Sequence, residues 1–286
     1  MTQNNELPSE WQEWIISNLQ RGCTIESMVQ SMVNAGFLAN VAQSLIEKFM
    51  TLDTQNLPVI NSDESYHYEP SRIQKGNFIL LDDKTVHVAF RLSSPEIILF
   101  NEFMSEEECD TLIELAKNKT LLPSTVVDPN SGNGEVIKAR SSEGTFFQRG
   151  ENTLIQCLEK RISQLMNCPI ENGEGIQILH YLSGAEYRPH FDYFPTNQAG
   201  SSKHLHSGGQ RIATLVMYLN NVEKGGETYF PDANVSVTPK KGAAVYFSYF
   251  NSLGQTDKAT LHAGNPVLAG EKWIATKWVR QHKYGS

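Results

Sequence analysis

Between residues 8 and 50 the apolar side chains recur at helical spacing: Trp11, Trp14, Ile15 and Leu19, then Met28, Val29, Met32 and Val33, then Val41, Leu45, Ile46 and Phe49. That period predicts three short helices sharing one apolar interior. Arg21-Gly22 followed by Thr24, and Gly36 followed by Asn40, supply stop and N-cap chemistry at the two breaks. Residues 1–50 therefore read as a three-helix module, suited to an unknown partner or to self-association. Residues 51–76 carry few aliphatics among Asn, Ser, Asp, Glu and Pro, the composition of a linker or a lightly packed strap.

Residues 77–286 form the main domain. Segments 86–92 and 96–100 alternate as strands do, and Ser105 with Glu108 has capping-box spacing at the start of a helix running to about Lys119. A second amphipathic helix spans 152–166. After Gly175 the period shortens: 176–182, 187–193, 212–219, 235–238, 243–247, 261–263 and 273–279 all read as short strands between Gly, Pro, Asn and Ser turns. Many short, closely spaced strands predict an α+β domain with a sandwich or jelly-roll core, its two helices covering one outer face.

Charge narrows the partners. Thirty-two acidic against 24 basic residues give a net charge of −8, which repels nucleic acid and anionic lipid. No apolar run reaches the length of a membrane span, so no membrane association is expected. Residues 1–10 are polar and acidic and lack the pattern of a secretory signal, which predicts a cytoplasmic protein. Cys23, Cys109, Cys157 and Cys168 form no CxxC pair, against both a disulfide framework and a thiolate zinc site.

The chemistry concentrates in the strand-rich half. In an extended segment His190 and Asp192 project to one side, and His262 lies on a later strand that a jelly roll can bring beside them. Two imidazoles and a carboxylate suit a non-haem Fe(II) centre with open positions; they also suit catalytic zinc, though no HExxH helix is present. Ten residues beyond His262, Lys272 shares a strand face with Ile274, Thr276, Trp278 and Arg280. An inward lysine needs an anionic partner, and a dicarboxylate that also chelates the metal describes 2-oxoglutarate.

At this level of detail the chain resembles the Fe(II)/2-oxoglutarate dioxygenases, and within them the prolyl 4-hydroxylases of the collagen-type and bacterial branch. The resemblance runs from Pro95-Glu96-Ile97 through Lys138-Ala139-Arg140, His180-Tyr181, Tyr187 to Asp192, Gly208-Gly209-Gln210-Arg211, Gly225-Gly226-Glu227-Thr228 and Leu261-His262-Ala263-Gly264 to Lys272-Trp273 and Trp278. It implies a double-stranded β-helix, the jelly roll of this family. It implies His190, Asp192 and His262 as iron ligands, with Lys272, Tyr181 and Thr214 holding the distal carboxylate of 2-oxoglutarate. Tyr187, Arg140, Arg211 and Trp278 match positions on the substrate side. For Arg211, strict alternation from Thr214 points the other way, so it reaches the site only if the strand starts after it. The implied reaction consumes O2 and 2-oxoglutarate, releases succinate and CO2, and hydroxylates a proline in a protein or peptide, with ascorbate as reductant.

Two Gly-rich stretches, 128–134 and 195–209, adjoin the implied substrate side and read as flexible lids. Two other functions compete: a 2-oxoglutarate oxygenase acting on a free amino acid or other small molecule, and a non-catalytic metal-binding scaffold. His204 and His206 sit in a loop without a third donor and are read as surface residues. Glu227 reads as a turn-fixing carboxylate, and Glu174 has no role that the sequence decides.

Overall fold

The computed structural model describes residues 25–34, 37–51, 65–137 and 139–285, together with Leu7, Trp11, Gln12, Ile15 and Leu19. The chain divides into two compact units, residues 1–65 and 66–286. In the first unit Trp11, Gln12, Ile15 and Leu19 are helical, and α1 (Ile25–Asn34) and α2 (Ala39–Thr51) follow. Ile15, Met28, Met32, Ala42, Ile46 and Phe49 form its buried core, drawn from the apolar stripe of the sequence, and the Trp11 and Phe37 rings meet edge to face at 4.8 Å. Trp14, Arg21, Gly22, Thr24 and Gly36 lie outside the described residues.

The second unit opens with a strap. His67 N–H donates to Gln255 Oε1 at 3.0 Å, the Asn251 amide donates to His67 O at 3.0 Å, and Ile73 enters the main core. Residues 66–76 are thus tied to the domain that follows them. Next come β1 (Phe78–Leu80), β2 (Thr85–Ser93), β3 (Glu96–Asn101) and α3 (Glu106–Lys117). After α3 lie β4 (Leu122–Pro123), β5 (Val126–Val127), β6 (Gly134–Glu135), β7 (Glu143–Phe147) and α4 (Thr153–Leu165). Then follow β8 (Ile176–Tyr181), β9 (Tyr187–His190), α5 (Ser201–Leu205), β10 (Arg211–Tyr218), β11 (Lys224–Gly225), β12 (Thr228–Phe230) and β13 (Val235–Val237). The chain finishes on β14 (Ala244–Ser248), β15 (His262–Gly264), β16 (Val267–Ala269) and β17 (Lys272–Arg280).

A nine-stranded antiparallel sheet in the order β1-β2-β3-β14-β10-β17-β8-β7-β4 packs over a smaller sheet in the order β13-β12-β15-β9. Alternation sorts each strand's side chains between two cores. Leu215, Met217, Trp273 and Ala275 face α3 and α4, whose Leu112, Ala116, Leu158 and Ile162 cover the outer face of the large sheet. Val216, Tyr218, Phe247 and Ile274 face Phe230 and Val237 of the small sheet. This is the jelly roll with supporting helices that the sequence predicts. The Ser105 capping box forms in full, with Ser105 Oγ accepting from Glu108 N and Glu108 from Ser105 N.

Three details differ from the sequence reading. The strand expected over 187–193 stops at His190, because its partner β15 is three residues long and the ladder runs out there. The stretch 128–134 is the tip of the β5–β6 hairpin, where Asp128 Oδ1 accepts from the backbone N–H of Asn130 and Ser131 and so fixes the turn. The stretch 195–209 contains α5, and the two segments are fastened together: Gly200 N donates to Pro129 O, His204 Nε2 to Gly132 O at 2.8 Å and Lys203 Nζ to Asn133 Oδ1 at 3.0 Å.

Candidate metal centre and anion pocket

His190 ends β9 and His262 begins β15, and the two are direct partners in the ladder. Asp192 follows where the chain leaves the sheet. Among the described residues these three form the only group of three or more potential metal ligands, with donor atoms all within 4.8 Å of one another. His190 Nε2 stands 3.7 Å from Asp192 Oδ1, and His262 Nε2 stands 3.6 Å from Asp192 Oδ2. Both rings are turned by their other nitrogen, which donates to a backbone carbonyl: His190 Nδ1 to Arg188 O at 2.9 Å and His262 Nδ1 to Thr260 O at 3.0 Å. That tautomer leaves each Nε2 lone pair facing the cluster, as metal ligation requires.

For His190, electrostatics supports the same protonation state. Burial, with the neighbouring His262, pushes the His190 imidazole down to about 3, so it is neutral at physiological pH. Burial opposes the charge on Asp192, yet His262, His190 and Arg211 around it hold its carboxyl down at about 2. Two imidazoles and one carboxylate form a donor set that fits Fe(II) with positions left open.

Lys272 lies in the same cleft, which is also lined by Tyr181, Thr228, Thr276 and Trp278. Its residue exposure is 2%, and its ammonium makes no hydrogen bond or ion pair among the described residues. Burial pushes its pKa down to about 8, opposed only by the charge of Glu227. A buried cation with no protein counter-ion is costly, so this pocket is built for an anion from outside. Gly225 and Gly226 in the turn before β12 both sit at left-handed φ, and a Cβ on Gly225 would run into Pro266 O. A roomier concavity of about 780 Å³ lies under residues 66–75, and it contains neither the donor cluster nor Lys272.

The other predicted residues gather around this cleft in different ways. Tyr181 pairs with Lys272 across β8–β17, its ring 5.4 Å from the ammonium. Tyr187 stacks on His190 at 3.5 Å, and the Arg140 guanidinium lies 4.7 Å from the centre of the Tyr187 ring. Thr125 O and Gln177 Oε1 hold the Arg140 guanidinium in place. Thr214 is not among the residues that line the cleft with Lys272. Its hydroxyl donates to Asp192 Oδ2 at 2.7 Å, because its position on β10 faces the metal carboxylate.

Arg211 reaches the site side despite the alternation. A β-bulge between Arg211 and Ala213 puts Ile212 and Ala213 both on the helix side and resets the parity. Arg211 then lies 3.9 Å over the Trp278 ring and forms a bidentate pair with Glu174 at 2.6 and 2.8 Å. Glu174, left open by the sequence, is the buried anchor of both Arg211 and Arg280. Thr228 is a further cleft residue, and its signal in the sequence is the Gly225-Gly226-Glu227-Thr228 motif. Tyr249 had no signal in the sequence and joins Thr214 through its hydroxyl at 2.9 Å.

A jelly roll that gathers a His-Asp-His cluster and an unpaired buried lysine in one cleft defines the class of non-haem iron, 2-oxoglutarate-dependent dioxygenases. Residues 176–280 match the 2OG-Fe(II) oxygenase superfamily. Over 209 residues the chain is 40% identical to prolyl 4-hydroxylase 5 of Arabidopsis thaliana, across 66% of this chain and 70% of that protein. Prolyl 4-hydroxylase 1 of the same plant is 43% identical over 203 residues, again 66% and 70% of the two chains. The solved viral collagen prolyl hydroxylase of Paramecium Bursaria Chlorella virus-1, in its 2-oxoglutarate complex, aligns with a TM-score of 0.52 at 33% identity, covering 64% of this chain and 95% of that one. The chain belongs to the prolyl 4-hydroxylase family of this superfamily. It is a dioxygenase whose cofactor is Fe(II) and whose co-substrates are 2-oxoglutarate and O2.

Proposed function

We propose that this enzyme hydroxylates a proline residue in a protein or peptide at C4, coupled to conversion of 2-oxoglutarate to succinate and CO2. His190, Asp192 and His262 hold the iron, which supplies oxygen activation when bound. Lys272, with Tyr181 and Thr228 beside it, takes the distal carboxylate of 2-oxoglutarate. The observation that carries this reading is the unpaired Lys272 ammonium in the cleft of the three-donor cluster. A non-catalytic scaffold gives no reason to retain that buried charge.

On the substrate side, Trp278 and the edge of the Tyr187 ring line the cleft where a prolyl ring would sit, and Arg140 and Arg211 are held over those two rings by fixed partners. The hairpin tip and α5, fastened together and resting through His204 on Phe194 beside Arg211, act as a cover that excludes water from the target once it is bound. Ascorbate serves as reductant for turnovers not coupled to substrate. Cys109, Cys157 and Cys168 are all free thiols, which supports a reducing, cytoplasmic setting. The helical module of the first unit recruits a partner or a second copy, separately from the chemistry.

The test loads the protein anaerobically with Fe(II) and 2-oxoglutarate, then admits O2 with proline-containing peptides or with free L-proline. The peptide should gain one oxygen atom in step with succinate. Turnover of free L-proline with every peptide left unmodified would replace this reading by the small-molecule one.

A further inference from the structure

We propose that Thr214 and Tyr249 are positioning residues, forming a directed hydrogen-bond chain that sets the Asp192 carboxylate as a metal ligand. The proposal rests on the metal-binding reading of His190, Asp192 and His262. Asp192 lies beyond the end of β9, so no ladder hydrogen bond aims its side chain. Its orientation must come from elsewhere. Thr214 Oγ1 donates to Asp192 Oδ2 at 2.7 Å, the short length of a hydroxyl bonded to an ionised acceptor. The Thr214 hydroxyl has one proton, and that proton is committed. The 2.9 Å contact with Tyr249 Oη is then a bond that Tyr249 donates and Thr214 accepts.

The direction of the chain is thereby fixed: Tyr249 to Thr214 to Asp192. Its two donors are themselves immobile. Thr214 is central in β10, paired on both sides by β14 and β17, and is 0% exposed. Tyr249 is also 0% exposed, its backbone N–H bonded to Ile212 O and its carbonyl accepting from Asp257 N. A carboxylate whose Oδ2 is held by a hydroxyl has its plane fixed relative to the His190 and His262 nitrogens, as a metal ligand would need. Groups of this kind, one bond removed from the ligands, typically change metal affinity 10- to 100-fold when lost.

Anaerobic Fe(II) titration of the full chain, with 2-oxoglutarate affinity measured at saturating Fe(II), tests the chain. Thr214→Val should weaken Fe(II) about 10- to 100-fold while leaving 2-oxoglutarate affinity within about 3-fold. Thr214→Ser restores the hydroxyl and should return Fe(II) affinity to near the wild-type value, which separates loss of the bond from damage to folding. Tyr249→Phe should weaken Fe(II) by less. The double variant Thr214→Val/Tyr249→Phe should be no worse than Thr214→Val, because Tyr249 acts through Thr214. Wild-type Fe(II) affinity in Thr214→Val, failure of Thr214→Ser to restore it, or additive losses in the double variant would overturn the proposal. Absence of Fe(II) binding by the wild-type chain, or its persistence unchanged in His190→Ala, would instead overturn the metal reading beneath it.

Discussion

The ammonium of Lys272 is the residue whose energetics are most exposed to experiment. Burial lowers its pKa from 10.5 to about 8, so between those values the unfolded chain holds more protons than the folded one. Stability from this group therefore rises with pH through that window, and its cost is present in full below about pH 8. A displacement of that size corresponds to roughly 3 kcal/mol. Lys272→Met should accordingly raise the melting temperature of the ligand-free protein at pH 7 while weakening 2-oxoglutarate at least ~100-fold, with Fe(II) affinity nearly unchanged. Thermal unfolding and paired titrations read both effects; a lowered melting temperature, or equal losses of both ligands, would contradict the assigned role. In the wild type, affinity for 2-oxoglutarate should fall as pH rises above about 8, where the free enzyme loses the cation. A flat profile from pH 7 to 10 would argue against the ammonium as the anchor.

Elements were legible where one local rule decided them. The capping box at Ser105, the alternation on β17 and the stripe of apolar residues in the first unit each follow from short-range spacing. The donor cluster was legible because His190, Asp192 and His262 are defined by residue type, and the burial of Lys272 because it shares its strand face with Ile274 and Trp278. The bond from Thr214 to Asp192 was not legible for the opposite reason: which carboxylate a hydroxyl meets depends on how β10 lies across the sandwich. Arg211 was obscured by a one-residue bulge, and the pairing of Glu174 with Arg211 spans 37 residues of sequence that no local pattern encodes. The hairpin tip and α5 give an element-scale prediction, since the Gly200 Cα lies where a Cβ would come within 2.5 Å of Asp128 O and Gly132 N. Gly200→Ala should force the two segments apart and raise the KM for peptide several-fold, leaving the KM for 2-oxoglutarate unchanged; parallel steady-state assays distinguish the two. Ser105→Ala removes a cap remote from the cleft and should cost about 1 kcal/mol of stability with no effect on turnover, as denaturant melts and activity assays would reveal.

At the scale of the molecule, every residue assigned to chemistry falls within residues 66–286, and the first unit contributes none of them. A chain beginning at Tyr66 should therefore bind Fe(II) and 2-oxoglutarate as the full chain does, and any change should fall on the choice or affinity of protein substrate. The core of the large sheet packs against α3 and α4, while the cleft lies between the large and small sheets, so scaffold and site draw on opposite faces of the same strands. That division explains how β10 and β17 carry hydrophobic packing and site chemistry at once. The most direct measurement follows the fate of isotopically labelled dioxygen in a single turnover with a proline-containing peptide. The wild type should place one labelled atom in the hydroxyproline and one in succinate, and Asp192→Ala should yield neither product. Succinate formed without any label, or peptide hydroxylation that persists in Asp192→Ala, would contradict the dioxygenase assignment.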